Sequence, residues 1–74
     1  MESEFILKNC VRELRKQSRL RQVDLAQGAG VTRQTIIAIE KGRMNPTVLV
    51  SLRIAKILDR PVDDIFYLER TARL

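Results

Sequence analysis

Between Gln22 and Lys41 the chain carries a residue spacing that few backbones satisfy. Val23, Leu25, Ala26 and Ala29 mark a short helix over about residues 22–28, which Gly28-Ala29-Gly30 ends. Gly30 is the natural position for a positive φ after a helix C-terminus, since glycine has no Cβ to clash there. Thr32 offers an N-cap hydroxyl. Ile36 and Ile39 then give the apolar stripe of a next helix, about 32–40, which stops at Gly42. Ala26 is small where the two helices meet, so their backbones can approach at a steep angle. Leu25, Val31, Ile36 and Ile39 point inward and fix that angle.

The flanks read as helices too. Leu7, Cys10, Val11 and Leu14 follow the i, i+3, i+4, i+7 pattern and place a first helix at about 7–18. Thr47 caps a fourth helix whose buried side is read as Val48, Leu52, Ile54, Ala55 and Leu58. Asp59-Arg60-Pro61 breaks it, and Val62, Ile65 and Phe66 suit a short fifth. Short connections join these helices, so the expected architecture is all-α: a compact five-helix bundle forming one domain. Its core spans 7–66, and 67–74 form a tail. The ends stay open between two readings. Phe5-Ile6-Leu7 and Ile65-Phe66-Tyr67-Leu68 are rich in β-favouring residues. Residues 3–9 and 65–70 therefore either extend their helices or pair as strands, within one chain or across a dimer.

Composition narrows the chemistry. The 74 residues hold no histidine and a single cysteine, Cys10, which removes His-based triads, Cys/His zinc sites and an internal disulfide. No strand-then-glycine loop with a following lysine is present to cradle phosphate. An enzyme is not expected, nor a metal or cofactor. Lysine and arginine number 14 against 9 acids, a net charge of +5 that suits a polyanionic partner. Residues 8–43 concentrate that charge, with nine basic and three acidic side chains. Cys10 reads as a structural thiol in a reducing compartment. The N-terminus is acidic where a secretory signal is basic, and no apolar run approaches the roughly 20 residues of a membrane span. The cytoplasm is the expected location, with no membrane partner and no small-molecule ligand domain.

Two short helices joined by a glycine turn at this spacing form a helix-turn-helix, whose second helix can present its N-terminal residues to base edges in a DNA major groove. The chain resembles the Cro/repressor-type (XRE) family of lambda-repressor-like helix-turn-helix regulators from phages and bacteria. The matching residues run from Val11-Arg12-Glu13-Leu14-Arg15 through Leu20, Gln22, Leu25-Ala26, Gly30-Val31-Thr32, Gln34-Thr35-Ile36, Ile39-Glu40-Lys41-Gly42, Asn45-Pro46-Thr47, Leu52, Ile54-Ala55-Lys56 and Leu58 to Val62-Asp63-Asp64-Ile65-Phe66. The resemblance implies that Thr32, Arg33, Gln34, Ile37 and Ala38 read bases of double-stranded DNA. It implies that Gln22 binds a phosphate and braces the first residues of helix three, while Lys41 and Arg43 clamp phosphate. Arg21 and Thr35 are further phosphate candidates. Arg15 and Glu40 map to a partly buried ion pair. The side-chain chemistry agrees: Arg33 can pair with guanine O6/N7 and Gln34 with adenine N6/N7, and Ile37 can touch a thymine methyl.

Three positions depart from the family pattern. Arg21 stands where Ser or Thr usually caps helix two, at a cost of about 0.5–2 kcal/mol. Arg19 and Asp59 replace turn glycines. Leu49 is apolar where a one-sided helix calls for a polar residue, and Leu49, Val50 and Tyr67 are open to two readings, core packing or a dimer seam, with the seam preferred. One recognition helix reads only half a site, so a homodimer joined through the C-terminal half is expected on a palindromic operator, as a repressor. The alternatives are the antitoxin of a toxin–antitoxin pair that represses its own operon, and a protein-interaction module on the same fold.

Overall fold

The computed structural model describes residues 4–71. Its elements run β1 (Phe5–Asn9), α1 (Val11–Gln17), α2 (Gln22–Ala29), α3 (Arg33–Glu40), α4 (Val48–Leu58), α5 (Val62–Ile65) and β2 (Phe66–Arg70). Five helices form, but the chain is not all-α. The two ends pair as an antiparallel ribbon in the register Phe5↔Arg70, Leu7↔Leu68 and Asn9↔Phe66. Pairing within the chain is thus the outcome for the two segments left open above; Ser3 and 72–74 lie outside the described residues.

The ribbon shortens two expected helices. Helix one begins at Val11 rather than at Leu7, and Phe66 opens β2 instead of closing α5. Asn9 explains the first boundary: its Oδ1 accepts from the Val11 N–H at 3.1 Å, an orphan donor at the helix start. Cys10, read as part of the helical stripe, is the N-cap of α1. It is half-buried, its N–H donates to the Ile65 carbonyl at 3.0 Å, and its thiol donates to the Asp64 carbonyl at 3.3 Å. The start of α1 is thereby tied to the end of α5. Lys8 with Glu69 and Arg70 with Glu4 form exposed ion pairs along the ribbon.

The core is built from every helix. Val11, Leu14, Leu25, Ala26, Ala29, Ile36, Ile39, Ile54, Ala55, Leu58, Ile65 and Phe66 are buried, with Val31 packed against them. Burial of this apolar surface drives the assembly, at about 25 cal/mol per Å² removed from water. Helix two runs one residue further than expected, so Gly28 lies inside it. A Cβ there would come within 2.5 Å of Ile57 Cδ1, so glycine permits α2 to sit close against α4. Gly30 takes φ 73° and turns the chain into α3. Arg19 and Asp59 adopt φ 59° and 57°, the left-handed conformation expected where glycine is replaced. That conformation carries strain for Arg19, less for Asp59.

Helix four departs most from the sequence reading. Val48 and Leu52, expected to be buried, are 75% and 52% exposed. Residues advance by about 100° each around a helix, and the core side of α4 is set by Ile54, Ala55 and Leu58. Leu52 falls well off that side and Leu49 opposite it. Val48, Leu49 and Leu52, with exposed Met44 just before them, leave an apolar surface exposed among the described residues.

Candidate nucleic-acid interface

Helix three is set by four features, three of which tie it to the rest of the chain and one of which caps its own first turn. Ile36 and Ile39 are fully buried and fix one face against the core. At its start the Thr32 Oγ1 accepts from the Thr35 N–H at 3.2 Å, so the N-cap is the expected one and the helix proper begins at Arg33. At its end the Asn9 Nδ2 donates to the Ile39 carbonyl at 3.0 Å. That bond, from a residue the sequence reading passed over, ties the helix to the ribbon. The signal for it lies in a strand partner far along the chain, not in local periodicity.

The fourth feature is charged. Arg15 Nε donates to Glu40 Oε2 at 2.7 Å, and Arg15 Nη1 donates to the Leu20 carbonyl at 2.8 Å. The two side chains are only 9% and 3% exposed, so this pair joins α1 to the last residue of α3 in a dry setting. Gln22 Nε2 donates to Glu40 Oε1 at 3.2 Å. Gln22 therefore braces helix three at its last residue, not at its first residues. Each charged oxygen of Glu40 is satisfied, and among the described residues no buried side-chain polar atom lacks a partner.

What these attachments leave outward is the start of the helix. Thr32, Arg33 and Gln34 are all exposed, followed one turn on by half-buried Ile37 and Ala38. Thr35 is half-buried and its hydroxyl lies 3.1 Å from that of Thr32. Lys41 and Arg43 are exposed just past the helix. Arg12, Gln22, Ile37, Glu40 and Lys41 line a concavity of about 390 Å³ between α1, α2 and the C-terminal half of α3, so two cations, an amide and the paired Glu40 carboxylate frame a hollow at that end of the helix. Gly30 sits below Arg53, whose Nη1 donates to the Ala29 carbonyl at 3.5 Å and steadies the turn.

Arg21 behaves differently from the other cations. Its Nε and Nη2 donate to the two oxygens of Asp24 at 3.0 and 2.8 Å, and its backbone N–H donates to Asp24 Oδ2 at 2.8 Å. The last bond supplies part of the cap that Arg21 itself cannot give. These donors hold the Asp24 carboxyl down at about 2, the guanidinium bond contributing most, and the carboxylate in turn raises Arg21 above its ordinary value. Asp24 is the second residue that the sequence reading left out of the site.

Among the described residues no helix is long and apolar enough to cross a membrane, and no cluster of His, Cys, Asp or Glu is arranged for a metal ion. The sequence profile of the helix-turn-helix family matches residues 11–65. An HTH-type transcriptional regulator of Methanothermobacter thermautotrophicus is 48% identical over 64 residues, covering 85% of this chain and 93% of that protein. The HTH-type transcriptional regulator YgzD of Bacillus subtilis is 44% identical over 63 residues, covering 85% and 96%. Among solved structures, the restriction-modification controller protein C.AhdI of Aeromonas hydrophila is similar with a TM-score of 0.69 and 31% identity, covering 73% of this chain and 82% of that one. The transcriptional regulator VanUg shares the fold at a TM-score of 0.75 and 18% identity, over 95% and 93%.

Proposed function

The chain belongs to the XRE-type helix-turn-helix family of transcriptional regulators, which are not enzymes, and on that premise we propose that it is a repressor reading a palindromic operator as a homodimer, with α3 in the major groove. The observation that carries this reading is the division of α3. Ile36 and Ile39 are wholly buried, while Thr32, Arg33 and Gln34 at its start are exposed. A helix held that firmly from behind presents its side chains to bases with little further ordering on binding. Arg33 and Gln34 have the fork and amide geometries that match guanine and adenine edges. Ile37 and Ala38, one turn along, offer apolar contact to thymine methyls. Thr32 Oγ1 accepts from the Thr35 N–H as the cap, and its exposed side chain stands beside Arg33 at the same end of the helix.

Gln22, Thr35, Lys41 and Arg43 surround that start and supply phosphate contacts. Only one of the Gln22 amide hydrogens is used by Glu40, which leaves the other for a phosphate oxygen. Arg21 belongs to the same phosphate path, under the restraint described below. Phosphate contacts position the protein without reading sequence. Lys41→Ala is therefore expected to weaken binding to all sequences alike and to reduce the slope of log K against log salt by about 0.9. Titrations of one specific and one unrelated duplex at several salt concentrations measure both effects.

The homodimer reading rests on the uncovered surface of α4. Val48, Leu49, Leu52 and Met44 are 75%, 57%, 52% and 43% exposed, an apolar cluster out of place on an isolated chain. For a homodimer on a palindromic operator, the two α3 helices are expected on successive turns of one DNA face, about 34 Å apart. A Leu49→Glu/Leu52→Glu variant is expected to fold, to sediment as a monomer, and to lose about 10²-fold or more in operator affinity through loss of avidity. A variant that remained dimeric would place the seam elsewhere, with exposed Tyr67 on the ribbon the next candidate.

A further inference from the structure

We propose that Asp24 tunes the strength and salt dependence of DNA binding by holding the Arg21 guanidinium in an intramolecular pair that a backbone phosphate must displace. This rests on the DNA-binding reading above and assigns a role to a residue outside the contact set. Arg21 directly precedes Gln22 at the start of α2, and Gln22 lines the hollow that Arg12, Lys41 and the Arg15-paired Glu40 share. By position it is a phosphate clamp. By geometry it is already occupied: both oxygens of one carboxylate take its side-chain donors in the bidentate arrangement that a phosphate would otherwise accept.

The carboxylate cannot swing away, because Oδ2 also accepts from the Arg21 backbone N–H and so serves as part of the helix cap. Arg21 and Asp24 thus present no net charge to the approaching duplex. Salt dependence counts the phosphate charges that the protein neutralises. A self-neutralised arginine adds little to that count until it is released. The pair is also exposed enough to be exchanged, with the Arg21 side chain 78% exposed. Its own strength is modest in that setting, so a nearby phosphate competes with Asp24 on similar terms. No other cation of the proposed contact set shows such a pairing: Arg33, Lys41 and Arg43 appear in no ion pair among the described residues.

Asp24→Asn isolates the effect. The amide oxygen still accepts from the Arg21 N–H and keeps the cap, but the charge that restrains the guanidinium is gone. On a mixed-sequence duplex, between about 50 and 200 mM salt, the variant is expected to bind roughly three- to tenfold tighter than wild type, with a slope steeper by about 0.9 per protomer. The same substitution in an Arg21→Ala background is expected to gain less than about twofold, because nothing remains to be released. An equal gain in both backgrounds overturns the proposal, since Asp24 then acts by simple repulsion of the duplex. No gain in either background also overturns it. Lys41→Ala on the same duplex separates the two levels: if Lys41→Ala flattens the slope while Asp24→Asn does not steepen it, only the Asp24 proposal fails. A wild-type chain that binds no duplex overturns the DNA-binding reading and this one together.

Discussion

Glu40→Ala is expected to destabilise the fold by about 3–5 kcal/mol, the cost of leaving one member of a buried pair without its partner. For a domain of this size that lowers the melting midpoint by more than about 10 °C. Arg15 is the group left stranded: it is 7% exposed, and only its bond to the Leu20 carbonyl survives. Gln22 loses its acceptor at the same time, so α1, α2 and α3 lose a shared joint. Replacing both charges by apolar residues of similar volume, Arg15→Met with Glu40→Leu, is expected to recover most of the loss, because no uncompensated charge remains. Thermal and urea unfolding of the single and double variants measures this. A loss below about 1 kcal/mol for Glu40→Ala would contradict a structural role for the pair.

The second large effect concerns specificity and leaves stability alone. Arg33→Ala and Gln34→Ala are each expected to cost about 1–3 kcal/mol of operator binding and to relax preference at one base pair per half-site. Both residues are exposed, so unfolding should shift by no more than about 0.5 kcal/mol. The residues are neighbours and can share a base step, so their effects need not add. Lys41→Ala provides the contrast: it weakens specific and unrelated duplexes equally. Competition binding, in which each variant chooses between the operator and single-base changes of it, distinguishes the two kinds of loss.

The turn between α2 and α3 was legible because each of its residues has a local reason to be there. Gly30 takes the positive φ its position demands, and Leu25, Ile36 and Ile39 are buried as their spacing requires. The Arg15–Glu40 pair came through family resemblance, and the geometry places it where that implied. Other features were not local. Leu7 sits at helical spacing from Cys10 and Val11, yet it lies in β1, because its partner Leu68 is at the far end of the chain. Strand pairing at that separation leaves no periodic trace beyond β-favouring residues at both ends. Val48 and Leu52 read as core because an apolar residue in a short helix does not itself say which side faces inward, and Ile54, Ala55 and Leu58 set that side elsewhere. Asn9 and Asp24 were missed for a related reason: a short polar side chain announces a hydrogen bond without naming its partner.

Selection of bound sequences from a random duplex pool at stated salt tests the central claim most directly, run with wild type and with the Arg33→Ala/Gln34→Ala variant. The wild type is expected to return a two-fold symmetric motif with half-sites about 34 Å apart. The variant is expected to return the same spacing with information lost at the base pairs those two side chains read. A variant motif identical to the wild type would contradict α3 as the reader of sequence.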